Sequence, residues 1–174
     1  VHTRRWFALV AIMTVILGID PGSRITGFGV IRVERNQAQY VSSGTIRLPV
    51  KEALGARLRV LFESLSEIID TYQPSVASIE SVFMAKSADS ALKLGHARGA
   101  AMVACVTNDL EVHEYAARQI KQSVVGTGAA NKQQVQHMVT ALLGLSAEPA
   151  EDAADGLAAA LCHCNTQGLA GALA

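Results

Sequence analysis

The sequence predicts an α/β fold: a mixed five-stranded sheet, three antiparallel strands followed by parallel ones, flanked by helices. Three observations lead there. The first part of the chain holds three β-branched, apolar runs separated by short links, the pattern of an antiparallel meander. The middle alternates helical periodicities with short apolar runs, which requires parallel strands joined by helical crossovers. The final part carries helical signals only.

Residues 14–19, 26–33 and 39–48 are the three opening strands, and their links contain Asp20-Pro21-Gly22 and Arg35-Asn36, chemistry that favours turns. Leu54, Leu58, Leu61, Leu65, Ile68 and Tyr72 then recur at steps of four and three. They lay one apolar stripe along an amphipathic helix that Pro74 follows. Residues 76–80, VASIE, form a short fourth strand. Ser87 is placed to cap a long helix through about residue 107, rich in alanine and glycine. EVHEY at 111–115 is the fifth strand. Helices follow at about 116–125, from Asn131 with Gln134 three residues on, and at 151–165. No internal repeat or low-complexity linker interrupts this order, and the last seven residues read as a frayed tail.

A chain of 174 residues and 18.3 kDa suits one domain, burying roughly 70% of the surface its unfolded chain exposes. Half of the residues are hydrophobic and 17% charged, which excludes general disorder. Fifteen basic residues balance fifteen acidic ones, so any nucleic-acid partner must be held by local rather than overall charge. Cys105, Cys162 and Cys164 are too few and too irregular for a secreted disulfide framework, and a reducing cytoplasm is the expected compartment. Cys162 and Cys164 lie about 200° apart around a helix, so they cannot face one zinc ion.

The opening residues imitate a secretory signal, with Arg4 and Arg5 before an apolar stretch. No small-residue cleavage site follows, and the run is too short to span a bilayer. Residues 1–13 therefore read as an N-terminal extension, 14–167 as the domain proper and 168–174 as the tail.

Carboxylates gather at element ends. Asp20 ends the first strand, Glu80 ends the fourth, and Asp152 and Asp155 share a face at the start of the last helix. Each has an ordinary explanation, because aspartates suit helix N-termini and Asp20 can open an Asp-Pro-Gly turn. Glu80 is harder to explain so, since it closes an apolar run on a strand expected to be central. Glu148 and Glu151 are second choices, lacking the three-residue spacing. Open α/β sheets bind ligands at the C-terminal ends of their strands, where these acids would converge.

Convergence has a cost. Two like charges 4 Å apart repel by about 4 kcal/mol at an effective dielectric of 20, so four carboxylates either protonate or bind cations. All-oxygen ligands select hard ions such as magnesium or manganese, and a pair of such ions suits in-line displacement at phosphorus.

The stretches ILGIDPGSRITGFGVI, IESVFMAKSADSALKLGHARG, EYAARQIKQSVVGTG and DAADGLAAALCHC, in that order and spacing, resemble the RuvC family of Holliday-junction resolvases from about residue 14 to 165. The resemblance implies a ribonuclease H-like fold and a homodimeric endonuclease acting in recombination and repair. It would nick a four-way DNA junction symmetrically, leaving 5′-phosphate and 3′-hydroxyl ends, and work beside a branch-migration motor of the RuvA and RuvB type. The family's metal-binding acids match Asp20, Glu80, Asp152 and Asp155, which would hold two Mg2+ ions, with Mn2+ as a substitute and Asp20 bridging both. Lys121 and Lys132 match lysines beside the scissile backbone. Phe83 matches an aromatic that stacks on bases at the crossover, a contact worth ~1–3 kcal/mol, and Lys86 would touch the same backbone.

Some features lie outside the pattern. Ser81 and His96 stand where glutamine is frequent in the family, and no lysine or arginine follows Lys132. The loop of Gly126, Thr127 and Gly128 can offer backbone N–H groups to phosphate. The helix bearing Gly95 and Gly99 suits close packing, either inside the domain or, by resemblance, near a dimer interface. Two rival functions remain at this stage. An actin-like ATPase shares the aspartate–glycine hairpin, although it needs two such halves. A non-catalytic DNA-binding protein of the same fold is the other.

Overall fold

Alternation along the strands decides what each face of the sheet carries. In the computed structural model, which describes residues 13–81 and 87–168, β1 (Thr14–Asp20) pairs antiparallel with β2 (Ile25–Glu34), and β2 with β3 (Gln37–Arg47). Arg35 and Asn36 join β2 to β3 with φ of 52° and 62°, the doubly left-handed turn whose twist matches its strands. α1 (Leu54–Tyr72) crosses to β4 (Val76–Ser81), parallel to β1, and α2 (Ala88–Thr107) crosses to β5 (Glu111–Ala116), parallel to β4. The sheet order is β3-β2-β1-β4-β5. α3 (Ala117–Val125), α4 (Lys132–Leu142) and α5 (Glu151–Thr166) complete the order.

Val15, Leu17 and Ile19 of β1, with Ala77 and Ile79 of β4, pack against α1 and α2. The residues between them face the other way, and Ile16 and Val76 join the core built by α3, α4 and α5. The sheet is thus sandwiched between two helical layers, and both layers exclude water from it. α5 is the most enclosed helix, with every residue from Gly156 to Cys164 buried. Its His163 ring accepts or donates a buried 2.8 Å hydrogen bond with the Tyr115 hydroxyl, fixing α5 to β5. Burial, then the nearby His113, lowers the His163 pKa.

The caps form as expected. Ser87 accepts from the Ser90 N–H at 3.2 Å, and Asn131 and Gln134 make a reciprocal capping box. Four details differ. β3 starts two residues early and ends at Arg47, while Leu48 leaves the strand yet stays buried. Ala116 belongs to β5 and only caps α3, its backbone still extended. The buried line on α1 is Leu61, Leu65 and Ile69, not Ile68, because a ridge of four-residue steps is what meets the sheet; Leu54 is left exposed. Gly95 and Gly99 face open space, so packing inside the domain does not explain them. All three cysteines are buried, and burial pushes the Cys105 thiol up to about 12. No helix among the described residues is long and apolar enough to cross a membrane.

Candidate active site

Two period-two patterns bring the first acids together. Asp20 shares its face of β1 with Ile16 and Gly18, and Glu80 shares its face of β4 with Val76 and Ser78. Both faces look toward α5. Ile19 pairs with Ile79 in the parallel register, so Asp20 and Glu80 stand side by side at the ends of adjacent strands.

Glycines set the depth at which α5 lies. A Cβ on Gly27, the residue opposite Asp20, would overlap the carbonyl of Asp152. One on Gly18 would overlap the Gly156 carbonyl, and one on Gly29 would overlap the Leu157 backbone. Only a bare backbone at these places lets the helix approach so closely. Ser78 fastens the contact by donating a buried 2.7 Å hydrogen bond to the Ala159 carbonyl. The first turn of α5 is thereby pressed against the end of β1, and carboxylate oxygens of Asp20, Asp152 and Asp155 lie within 4.8 Å of one another.

Asp20, Glu80, Asp155, Lys121 and Lys132 line one cavity of about 220 Å³, with Ala117, Ile120 and Val135 as its apolar wall. Lys121 comes from α3 and Lys132 opens α4. The Lys132 ammonium pairs with Glu151 and lies 3.6 Å from Asp155 Oδ2. The bond to Glu151 raises the lysine's pKa.

Charge in this cavity is frustrated. Burial, then the neighbouring Glu80 and Asp155, raises Asp20 from 3.8 to about 8. Burial and Asp155 raise Glu80 from 4.5 to about 7, while Lys121 and Lys132 pull it down. Burial also raises Asp155. Four part-buried carboxyls with only two lysines against them fit a set that is complete when hard divalent cations share it. Oxygen donors at this spacing suit magnesium or manganese rather than a soft metal.

The family profile described as crossover junction endodeoxyribonuclease RuvC matches residues 16–163. The chain belongs to the RuvC family. RuvC of Saccharophagus degradans is 62% identical over 155 residues, covering 89% of this chain and 90% of that protein. Thermus thermophilus RuvC superposes with a TM-score of 0.80 at 31% identity, covering 88% of this chain and 95% of that one. Its complex with a Holliday junction substrate superposes with a TM-score of 0.83 at 30% identity, covering 90% and 96%.

Within this RuvC chain, the remaining sequence candidates divide. Phe83 and Lys86 lie outside the described residues. Glu151 is engaged with Lys132, and Glu148 faces His137 at 3.9 Å. In the 126–128 loop both glycine N–H groups are engaged within the chain. The Gly126 N–H bonds the Gln122 carbonyl, the Gly128 N–H the Gln122 side chain at 3.1 Å, and the Ala129 N–H the Thr127 hydroxyl. The Gly126 and Gly128 N–H groups are thus already engaged by Gln122. A larger cavity of about 730 Å³, between β3 and the α4–α5 connection, gathers no carboxylate, lysine, histidine or cysteine.

Sequence reading missed two contributors. The glycine seat of α5 was signalled by Gly27 and Gly29 at alternate positions of β2, on the face Asp20 shares. Arg57 of α1, which donates to the Ser23 carbonyl in the turn after Asp20, gave no local signal, because that contact joins elements distant in sequence.

Proposed function

We propose that this crossover junction endodeoxyribonuclease cuts its four-way DNA junction with Asp20, Glu80, Asp152 and Asp155 holding two divalent cations, Mg2+ by preference and Mn2+ as substitute. The observation that carries the reading is the meeting of three aspartates within 4.8 Å, beside Glu80, at the strand ends. When bound, the ions supply an activated water at neutral pH and counter-charge for the phosphate. The chain's own part is to gather four carboxylates, with Lys132 favouring the ionised form of Asp20 and Lys121 and Lys132 that of Glu80, and to hold the backbone still. Lys121 and Lys132 place positive charge where the phosphate gains negative charge during displacement. Lys132 would exchange part of its pairing with Glu151 for the phosphate. Phe83 stacks on a base at the crossover, and Lys86 holds the adjoining backbone.

Symmetric nicking requires two such sites, and a homodimer supplies them. The exposed side of α2 favours this: Leu92, Val103 and Val106 are 65%, 56% and 61% exposed and run beside Gly95 and Gly99. An exposed small-and-apolar helix stripe suits a second copy of itself. The protein would act in the cytoplasm through one nuclease domain, residues 14–167, handing over from a RuvA- and RuvB-type motor. A purely DNA-binding role is disfavoured by four acids and two lysines converging, and an ATPase by the single sheet among the described residues, where two related halves are needed. Incubating the protein with a mobile four-way junction and a linear duplex, with and without magnesium, tests the reading. Paired nicks in the junction alone, with ligatable ends, are expected. Equal cutting of the duplex would refute it.

A further inference from the structure

The chain's balanced charge leaves open what holds a polyanion, and pairing narrows the field. Arg24, Arg47 and Lys51 are exposed, and none forms an ion pair among the described residues. They share one end of the sheet. Asp20 closes β1 there, Arg24 stands just before β2, Arg47 closes β3, and Lys51 lies in the turn that follows. Ile25 pairs with Arg47 in the sheet, and the Leu48 N–H donates to the Arg24 carbonyl at 2.9 Å. The turn carrying Arg24 is further fixed by Arg57 on the Ser23 carbonyl and by the buried Thr26 hydroxyl, which accepts from the Gly22 N–H at 3.2 Å. The three cations therefore ride on a rigid base, which spares the ordering cost that loose lysines and arginines incur on binding. Glu52 is the one acid in the same turn.

β3 stands two strand spacings from β1, roughly 10 Å at about 4.8 Å each. At about 3.4 Å of rise per nucleotide in one strand, that spans about three nucleotides. We propose that Arg24, Arg47 and Lys51 form a phosphate-binding ridge that holds a junction arm about one to three nucleotides from the scissile bond, on the side of the site opposite Lys121. The ridge rests on the reading that the substrate is junction DNA. Its three cations are placed as backbone contacts, which fix register and orientation without carrying sequence information.

Counterion release gives a direct test. Junction binding is measured by fluorescence anisotropy in chelator, where no cutting occurs, between about 50 and 300 mM salt. Each phosphate contact contributes about 0.9 to the slope of log affinity against log salt. Changing Arg24, Arg47 and Lys51 together to Gln is expected to flatten that slope by about 2 to 3. Arg32→Gln with Arg35→Gln, exposed cations at the other end of the sheet, should leave it unchanged. Arg24→Lys with Arg47→Lys should also keep it. If the triple variant unfolds, each single Gln variant should flatten the slope by about 0.9. An unchanged slope, or equal flattening in the Arg32 and Arg35 pair, overturns the ridge. Nicking by the unaltered protein is scored in parallel. A flattened slope without nicking supports the ridge and counts against the nuclease reading, whereas nicking with an unchanged slope removes the ridge alone.

Discussion

Asn in place of Asp20 is expected to stabilise the metal-free protein while abolishing nicking, the opposite of what loss of a structural side chain does. The Asp20 carboxyl is raised from 3.8 to about 8 in the folded chain, so the folded state holds its proton where the unfolded chain has released it. Stability from this group is fully present below about pH 4 and is lost as pH rises through about 8. At about 1.4 kcal/mol per pH unit, the rise sets an upper bound of about 6 kcal/mol on ionising Asp20 in the empty site. The cavity is open to water, and screening reduces the expected penalty to about 2 kcal/mol. For a chain of this size that corresponds to a melting temperature higher by roughly 4–8 °C in the Asn variant at pH 8.5. Calorimetry in chelator at pH 5 and pH 8.5 measures it. The gain should shrink toward pH 5, where Asp20 is protonated, and should shrink again when millimolar magnesium restores the aspartate's advantage as a ligand. Identical pH dependence of melting in both proteins would refute the assignment of Asp20 to a frustrated acid cluster.

Gly27→Ala should push α5 away from β1, costing about 1–3 kcal/mol in denaturant unfolding and slowing nicking by about a hundredfold through displaced Asp152 and Asp155. Lys132→Ala should slow nicking by about a hundredfold in single-turnover assays. It should also move the acidic limb of the pH–rate profile upward, because its charge now favours ionised Asp20 and Glu80. Tyr115→Phe deprives buried His163 of its 2.8 Å partner and should cost about 1–3 kcal/mol in thermal unfolding.

The strand alternation and the Asn131 cap were legible because each is a local pattern with a single geometric solution, whereas the α1 stripe showed a helix but not which ridge meets the sheet. Asp20 and Glu80 were legible as a pair for the same reason, since parity along two strands fixes their common face. What the sequence could not display was distance. That Asp152 reaches Asp20 depends on a helix settling onto bare glycine backbone, and that Glu151 occupies Lys132 depends on two helix starts meeting. The hydrogen bonds that engage the two glycine N–H groups of the 126–128 loop run to Gln122 in the preceding helix, a contact that the loop's own sequence does not signal. Arg57 and the unpaired basic ridge were invisible for a plainer reason: absence of a partner is a property of three dimensions.

The seating of α5 on Gly18, Gly27 and Gly29 has a consequence for the order in which the site is made. Asp20 emerges early in translation, whereas Asp152 and Asp155 belong to the last described element. At about 5–20 residues per second, on the order of ten seconds separate them on the ribosome. Throughout that interval the nascent chain carries one or two of its acids and no complete metal site. On the proposed reading, catalytic competence would arrive with the closing helix, and a chain truncated before it is expected to bind junction DNA without nicking it, which a nicking assay on such a truncation measures.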